Sequence, residues 1–533
     1  MAGGGGSSVG GLKHPVKIFA NIFISFIGAG VLGLPYAFKE AGIIEGTLVM
    51  TGVGIISIKA MLLLIECKYR ILENQGSKSS YSRMREEDDG LKTAGSKDEL
   101  QDLMRGEEHL VIRVKDPPLS KGEDLSYGDV GYQAMGHTGR FLVDLAIVLS
   151  QIGFCCAYLI FIAQNLSDYM AGMKLGHWLM ILLPTLCMLT MLRHLGSLAI
   201  TSLMAQCSNL MAFGVVFWFD FEHFYSIEYC YVKGHVISSR HCAHSLHPAK
   251  FRFSGLPFFL CIAIYCYEGA GMILSLEASV HEDLRFKFKK YFISTMVLVT
   301  TLYITFGACG YLSFGPETNQ IITLNLPNGQ SVDSSMIVKS FLCLALYFTY
   351  PVMMFPVTKI LERYFLPDAD KQYWKGNIMR AILVVITGFI VMAIPNFAIL
   401  MALIGASCCI LLALVLPGAF HLKIFNVSLT RSQRLINWSL IIMGILGTIV
   451  GMWDALRRVA EPNLSTHPEQ SDSDGFVTDN TTSTAVSTAS AFLTSVVSNA
   501  VSTILNISTG AAVTSTSGTT TTETTTTVAA PTT

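Results

Sequence analysis

Glu268 sits in the middle of an apolar run, within Tyr265-Cys266-Tyr267-Glu268-Gly269-Ala270-Gly271-Met272. Asp144 lies early in another, within Phe141-Leu142-Val143-Asp144-Leu145. A carboxylate at the centre of a bilayer costs about 3 kcal/mol, so each residue marks a candidate for proton transfer or ligand binding. Lys59, Glu66, Glu277 and Lys339 lie nearer the ends of such runs. There long side chains reach water, and no function is expected of them.

A second kind of chemistry comes from backbone. Gly28-Ala29-Gly30-Val31-Leu32-Gly33-Leu34-Pro35 interrupts the apolar run Val16–Phe38. Each glycine costs a helix about 1 kcal/mol and a proline about 3, so a helix entering this stretch should unwind and resume. The octapeptide also matches G-x-G-x-x-G. That fingerprint needs a soluble βαβ unit, whereas here apolar spans stand on both sides. Small residues also suit close helix packing, the plainer alternative to a functional break. Glu268 adjoins Gly269 and Gly271, so its span carries a weak point of the same kind. Exposed N–H groups at the first break suit a carboxylate, and Glu268 or free carbonyls at the second suit an ammonium. Together they suit a zwitterion.

The elements that must position these residues are membrane helices. The chain has 533 residues, 51% of them hydrophobic and only 14% charged, where soluble domains carry about 25% charged. A polytopic, all-α integral membrane protein follows. Candidate spans are Val16–Phe38, Gly46–Ile65, Phe141–Ala163, Trp178–Leu192, Leu198–Phe219, Leu256–Val280, Tyr291–Leu312, Ser335–Phe355, Met379–Ile394, Phe397–Phe420 and Leu435–Trp453. That gives 11 transmembrane helices, of which Trp178–Leu192 is the weakest because it is short and holds Pro184. The broken spans are the first and the sixth, the leading members of two successive groups of five. Paired interruptions at matching positions point to a five-plus-five inverted repeat with its site between the breaks.

Basic residues set the orientation. Arg285, Lys287, Lys289 and Lys290 follow the sixth span, Lys359, Arg363, Lys371 and Lys375 the eighth, and Lys423, Arg431 and Arg434 the tenth. These loops should face the cytoplasm, with the N-terminus on the same side and the C-terminus outside or luminal. Met1 to Gly11 is Gly-rich and is expected to be flexible, with residues 1–12 forming a disordered N-terminus. Residues 66–140 form a cytoplasmic loop, read as a solvated linker with phosphorylation at Ser79, Ser80 or Ser82 as the alternative. After Arg458 the chain has no Lys or Arg and becomes Ser/Thr-rich, with residues 457–533 expected outside or in a lumen. Sequons at Asn463, Asn480 and Asn506 make that tail a glycosylation candidate. Its paired apolar residues, such as Phe492/Leu493 and Val496/Val497, suit a surface-lying helix.

Most of the 13 cysteines fall in apolar runs and read as structural. Cys230 and Cys242 lie in a hydrophilic loop and are the disulfide candidate if that loop meets an oxidising side. The loop histidines His223, His235, His241, His244 and His247 are irregularly spaced, so no metal site is expected. The one G-x-S-x-G match, Gly6–Gly10, falls in the Gly-rich N-terminal stretch without a strand-to-helix elbow, and no H-E-x-x-H or P-loop occurs, which leaves no hydrolase or transferase constellation. No basic stripe with interleaved aromatics suggests nucleic acid.

Several ordered motifs resemble the amino acid/auxin permease family. They are Lys17-Ile18-Phe19-Ala20-Asn21-Ile22-Phe23 running into Gly28–Phe38, Ser126-Tyr127-Gly128-Asp129-Val130-Gly131-Tyr132, Ser150-Gln151-Ile152-Gly153-Phe154-Cys155, Tyr267–Met272 and Val391–Pro417. Within that family the chain is most similar to vacuolar neutral amino acid exporters and proton-coupled amino acid transporters, over roughly Lys13 to Trp453. The resemblance implies eleven spans in a five-plus-five arrangement and transport of small neutral amino acids on a proton gradient, without a cofactor. Some members carry a histidine linked to proton coupling in the first span, where this chain has Asn21. Asp144 and Glu268 are then the proton-coupling candidates. Gly28, Ala29, Gly30 and Gly33 should face the substrate carboxylate, with Tyr267, Glu268, Gly269 and Gly271 opposite.

The expectation is a secondary active amino acid transporter working by alternating access in a vacuolar, lysosomal or plasma membrane. The rival is a non-transporting amino acid sensor that signals through the 66–140 loop. Deleting that loop separates them, because a transporter keeps its flux.

Overall fold

A computed structural model describes residues 14–92, 125–169, 173–191, 252–326, 334–366, 373–426 and 428–460, a few positions between 211 and 218, and residues 75–92 by their backbone. Every regular element among them is helical. That follows from an apolar surrounding that offers no partner for backbone N–H and C=O groups, which each helix must satisfy within itself.

The first span begins as α1, Pro15–Phe26. It stops before Gly28, turns through a 3₁₀ segment at Ala29–Gly33 and resumes as α2, Leu34–Ala41. The two halves are bent by 50°. Pro35 falls in the first turn of α2, where its missing N–H has no helical partner to lose. The residue that disrupts the span therefore also starts its second half. Gly42, at φ +92°, makes the left-handed turn into α3, Ile43–Lys92.

Next come α4, Tyr127–Tyr169, and α5, Leu175–Thr190, which runs through Pro184. The sixth span is broken as expected. Its first half, α6, covers Leu256–Cys266 and its second, α7, covers Ile273–Ala278, with non-helical backbone between them. The remaining helices are α8 (Phe288–Phe314), α9 (Ser334–Phe365), α10 (Tyr373–Ala393), α11 (Phe397–Ile424) and α12 (Arg431–Ala460). Two π-helical stretches, Gly405–Cys409 and Leu411–Val415, widen α11.

Seven of the described helices are long and apolar enough to cross a membrane, and the bent pair of α1 with the segment ending in α2 makes an eighth. Helix α5 and the segment Phe253–Cys266 are shorter and apolar. Every predicted span except Leu198–Phe219 coincides with helix, and that one lies almost wholly outside the described residues. The chain is a multi-pass integral membrane protein.

Helix α6 is the buried centre. It packs against α2, α3, α11 and α12, and Phe258, Phe259, Cys261, Ile262 and Ala263 are closed to solvent. A Cβ on Gly405 would come within 2.0 Å of Cys261 O, so α11 meets α6 backbone to side-chain-free backbone. Both halves of the first span lie against α8, and α4 lies along α9. Helices α10 and α12 keep wide apolar faces uncovered, with Phe389, Leu435 and Trp453 each more than 70% exposed. These faces suit lipid.

Two expectations need correction. The expected 66–140 loop is not plain linker at its two ends: α3 continues helical to Lys92, and a helical segment from Tyr127 leads through a kink at Gly136, φ +67°, into the third span. Several charges on these segments, among the side chains described, are paired inside the protein. Lys68 Nζ lies 2.5 Å from Glu277 Oε2, Tyr69 Oη donates to the other carboxylate oxygen, and Arg70 stacks on Phe425. Asp129 at the new start of α4 accepts from Ser126 and Arg140. Nor do Glu277 and Lys339 reach out to water. Both are buried, Glu277 on Lys68 and Lys339 on Asp168 at 2.9 Å. A buried partner lowers the cost of the charge where exposure would have done so.

Candidate functional site

Helix ends leave carbonyls and N–H groups without intrahelical partners, and the two breaks bring four such ends together. Between them lies a cavity of about 350 Å³, lined by Ile24 to Val31 of the first break and by Cys266, Glu268, Gly269, Gly271 and Met272 of the second. The opposite wall comes from α4 (Ile147, Gln151, Phe154, Tyr158) and α9 (Leu346, Thr349, Val352, Met353, Pro356).

The two breaks are fastened to each other. Tyr303, fully buried on α8, donates its hydroxyl to Phe26 O, the last carbonyl of α1, with Cys266 O, the last of α6, at 3.2 Å. The Phe26 ring lies over Gly269, where a Cβ would approach it to 2.4 Å. Phe154 meets Tyr265 edge to face at 4.8 Å and fixes α4 beside the end of α6.

At the first break, the 3₁₀ segment Ala29–Gly33 leads into α2, with Gly28 to Gly30 among the residues that line the cavity. This is the positive end of the second half-helix. A Cβ on Gly28 would meet nothing within 4 Å, whereas one on Gly30 would touch Cys266 and Tyr265. Gly28 therefore borders open space and Gly30 borders protein.

At the second break, Glu268 lines the cavity. Its carboxylate lies against the backbone N–H groups of Ala270 and Gly271, and its Oε2 is enclosed with no hydrogen-bond partner. No Lys, Arg, His or second carboxylate stands among the described lining residues.

Of the expected site residues, Gly28, Ala29, Gly30, Glu268, Gly269 and Gly271 line this one cavity. Gly33 is packed against Phe397 and Met401 instead, and Tyr267 turns away to donate to Thr300 Oγ1 at 2.9 Å. Asp144 also lies off the cavity, accepting from Tyr364 at 2.9 Å with Arg363 at 3.8 Å. Cys230, Cys242, Asn463, Asn480, Asn506 and the loop histidines fall outside the described residues. The lining residues Gln151, Tyr158, Tyr303 and Thr349 carried no functional expectation. Gln151 alone had a pointer, in the motif Ser150–Cys155.

Fold and cavity define a polytopic membrane protein with a solute-sized chamber between two interrupted helices. The chain belongs to the transmembrane amino acid transporter protein family, whose model matches residues 14–97 and 108–457. It is 31% identical over 469 residues to amino acid transporter AVT3B of Arabidopsis thaliana, covering 84% of this chain and 94% of that protein. To amino acid transporter ANT1 of the same plant it is 29% identical over 457 residues, covering 83% and 92%. Among solved structures, a mutant of the Eremococcus coleocola manganese transporter matches at TM-score 0.49 and 10% identity, covering 92% of this chain and 94% of that one. That likeness is too weak to transfer a mechanism. The protein is a member of a transporter family and not an enzyme.

Proposed function

We propose that the protein carries neutral amino acids across a membrane by alternating access, driven by a proton gradient such as vacuolar, lysosomal and plasma membranes hold. The observation that carries this reading is the unpartnered oxygen of Glu268 in a chamber with no cationic side chain among its described lining residues. An enclosed acceptor without a donor is costly, and an α-ammonium supplies one. The substrate carboxylate then faces the N–H groups at Gly28 to Gly30, where the half-helix dipole favours negative charge. A mostly apolar lining of Ile24, Phe26, Ile147, Leu346 and Met353 receives an uncharged side chain.

Glu268 is also the proton carrier in this reading, since Asp144 is engaged by Tyr364 and Arg363 away from the chamber. When no ammonium is bound, a proton on Glu268 removes the charge that would otherwise oppose movement of the empty site through an apolar surrounding, so proton and amino acid alternate on one carboxylate. The breaks then act as equivalent positions of a five-plus-five inverted repeat, moving against α4 and α9.

The test is counterflow in proteoliposomes with neutral, cationic and anionic amino acids, with and without an imposed pH gradient. Neutral amino acids should exchange, and the gradient should drive their accumulation. Exchange restricted to charged amino acids, or accumulation indifferent to the gradient, would refute the corresponding half of the proposal.

A further inference from the structure

Five side-chain oxygens among the described residues are enclosed without a partner, on Glu45, Ser57, Gln151, Glu268 and Gln320. Only Gln151 and Glu268 line the cavity. Three of the five lining hydroxyls are committed elsewhere, and those of Tyr158 and Tyr265 leave both oxygens unserved. Ser25 Oγ donates to Asn21 O at 2.7 Å, Thr349 Oγ1 to Ala345 O at 2.8 Å, and Tyr303 Oη to Phe26 O. The chamber thus presents two acceptors that a bound molecule must satisfy.

Accepting the amino acid reading of the site, we infer that Gln151 is its specificity-determining residue, with the amide oxygen as second acceptor for the substrate's ammonium. A primary ammonium has three N–H donors, enough for Glu268 and Gln151 together with one to spare. A carboxylic or hydroxy acid has no such set. The two acceptors also differ in their support. Glu268 stands on irregular backbone, while Gln151 stands on the regular stretch of α4 past the Gly136 kink, beside Gly153, whose Cβ position is pressed to 2.4 Å of Ile404. A substrate held by both joins the break to the fixed wall. Because the amide is neutral, the site sets one negative charge against one ammonium, which matches a neutral amino acid and leaves a second cation unpaired.

The requirement for two N–H groups gives the test. Alanine and leucine, and their N-methyl and N,N-dimethyl derivatives, offer three, two and one N–H. KM for each is measured in proteoliposomes containing the wild-type protein, Gln151→Leu and Gln151→Glu. In the wild type the first methyl should change KM little and the second should raise it about tenfold, the loss of one charge-assisted hydrogen bond. Gln151→Leu should raise KM for the parent amino acids about tenfold with maximal flux kept, and should erase most of the second-methyl penalty although the added bulk is unchanged. Gln151→Glu keeps an acceptor of the same shape but adds a second negative charge to the chamber, so it should keep the second-methyl penalty and gain uptake of lysine, which the wild type should exclude. A wild-type penalty that falls on the first methyl, or a Gln151→Leu protein with unchanged KM or the full second-methyl penalty, would overturn the assignment. The wild-type series decides the matter even if Gln151→Leu fails to fold. Failure of the wild type to move either parent amino acid would instead fall on the proposed function and take this inference with it.

Discussion

The two breaks use glycine for opposite ends. At Gly28 the chain is extended, with φ −125°, and a Cβ would meet open space. Glycine there keeps the backbone bare toward the cavity. At Gly269 a Cβ would strike the Phe26 ring at 2.4 Å, so glycine lets the end of α1 close on the second break. The first break offers polarity through backbone alone, and the second through the Glu268 carboxylate. A site for a zwitterion needs both signs, and here each comes from the break better built to supply it. Tyr303 makes them a unit, since one hydroxyl reaches the last carbonyl of both α1 and α6.

Substitutions along this contrast should rank accordingly. Gly269→Ala should be the most damaging, because Phe26 is buried and must move. Overpacking of this kind costs about 2 kcal/mol, to be seen as a lowered unfolding temperature in detergent together with loss of most transport. Wild-type behaviour there would mean that the breaks are not in tight contact. Tyr303→Phe should come next. It leaves the carbonyls of Phe26 and Cys266 without a donor, at a cost of about 1–3 kcal/mol, and should raise KM by loosening both sides of the site. An effect on stability without any on KM would make Tyr303 a packing residue only. Gly28→Ala should be mildest. It should leave the unfolding temperature unchanged and raise KM by about tenfold, the low end of what one methyl group in a binding pocket does. Equal damage from Gly28→Ala and Gly269→Ala would erase the distinction.

How far the sequence anticipated this depended on whether a residue interrupts a pattern. Gly28, Gly30, Pro35 and the group around Glu268 disturb apolar runs that otherwise suit a helix, so both breaks were visible and their shared cavity was foreseen. Gln151 and Tyr303 disturb nothing. Each is one polar residue on a regular helix, and only the packing of α4 and α8 against the breaks gives it a role. Asp144 had the same local signature as Glu268, but its partners Tyr364 and Arg363 come from far along the chain. Glu277 and Lys339 looked able to reach water for the same reason, since Lys68 and Asp168 meet them only in the folded state. The continuation of α3 past Ile65 was hidden by charges such as Lys68, which pairs with Glu277 far along the chain instead of marking a solvated loop.

The central claim, that both breaks hold one amino acid with Glu268 taking its ammonium, is tested most directly by equilibrium binding. Purified wild type and Glu268→Gln, which keeps the side chain's shape and removes its charge, would be titrated with radiolabelled neutral amino acids. The account predicts saturable binding to the wild type and at least about a tenfold weaker affinity in Glu268→Gln, with the same unfolding temperature. Equal affinity in the two proteins would contradict it.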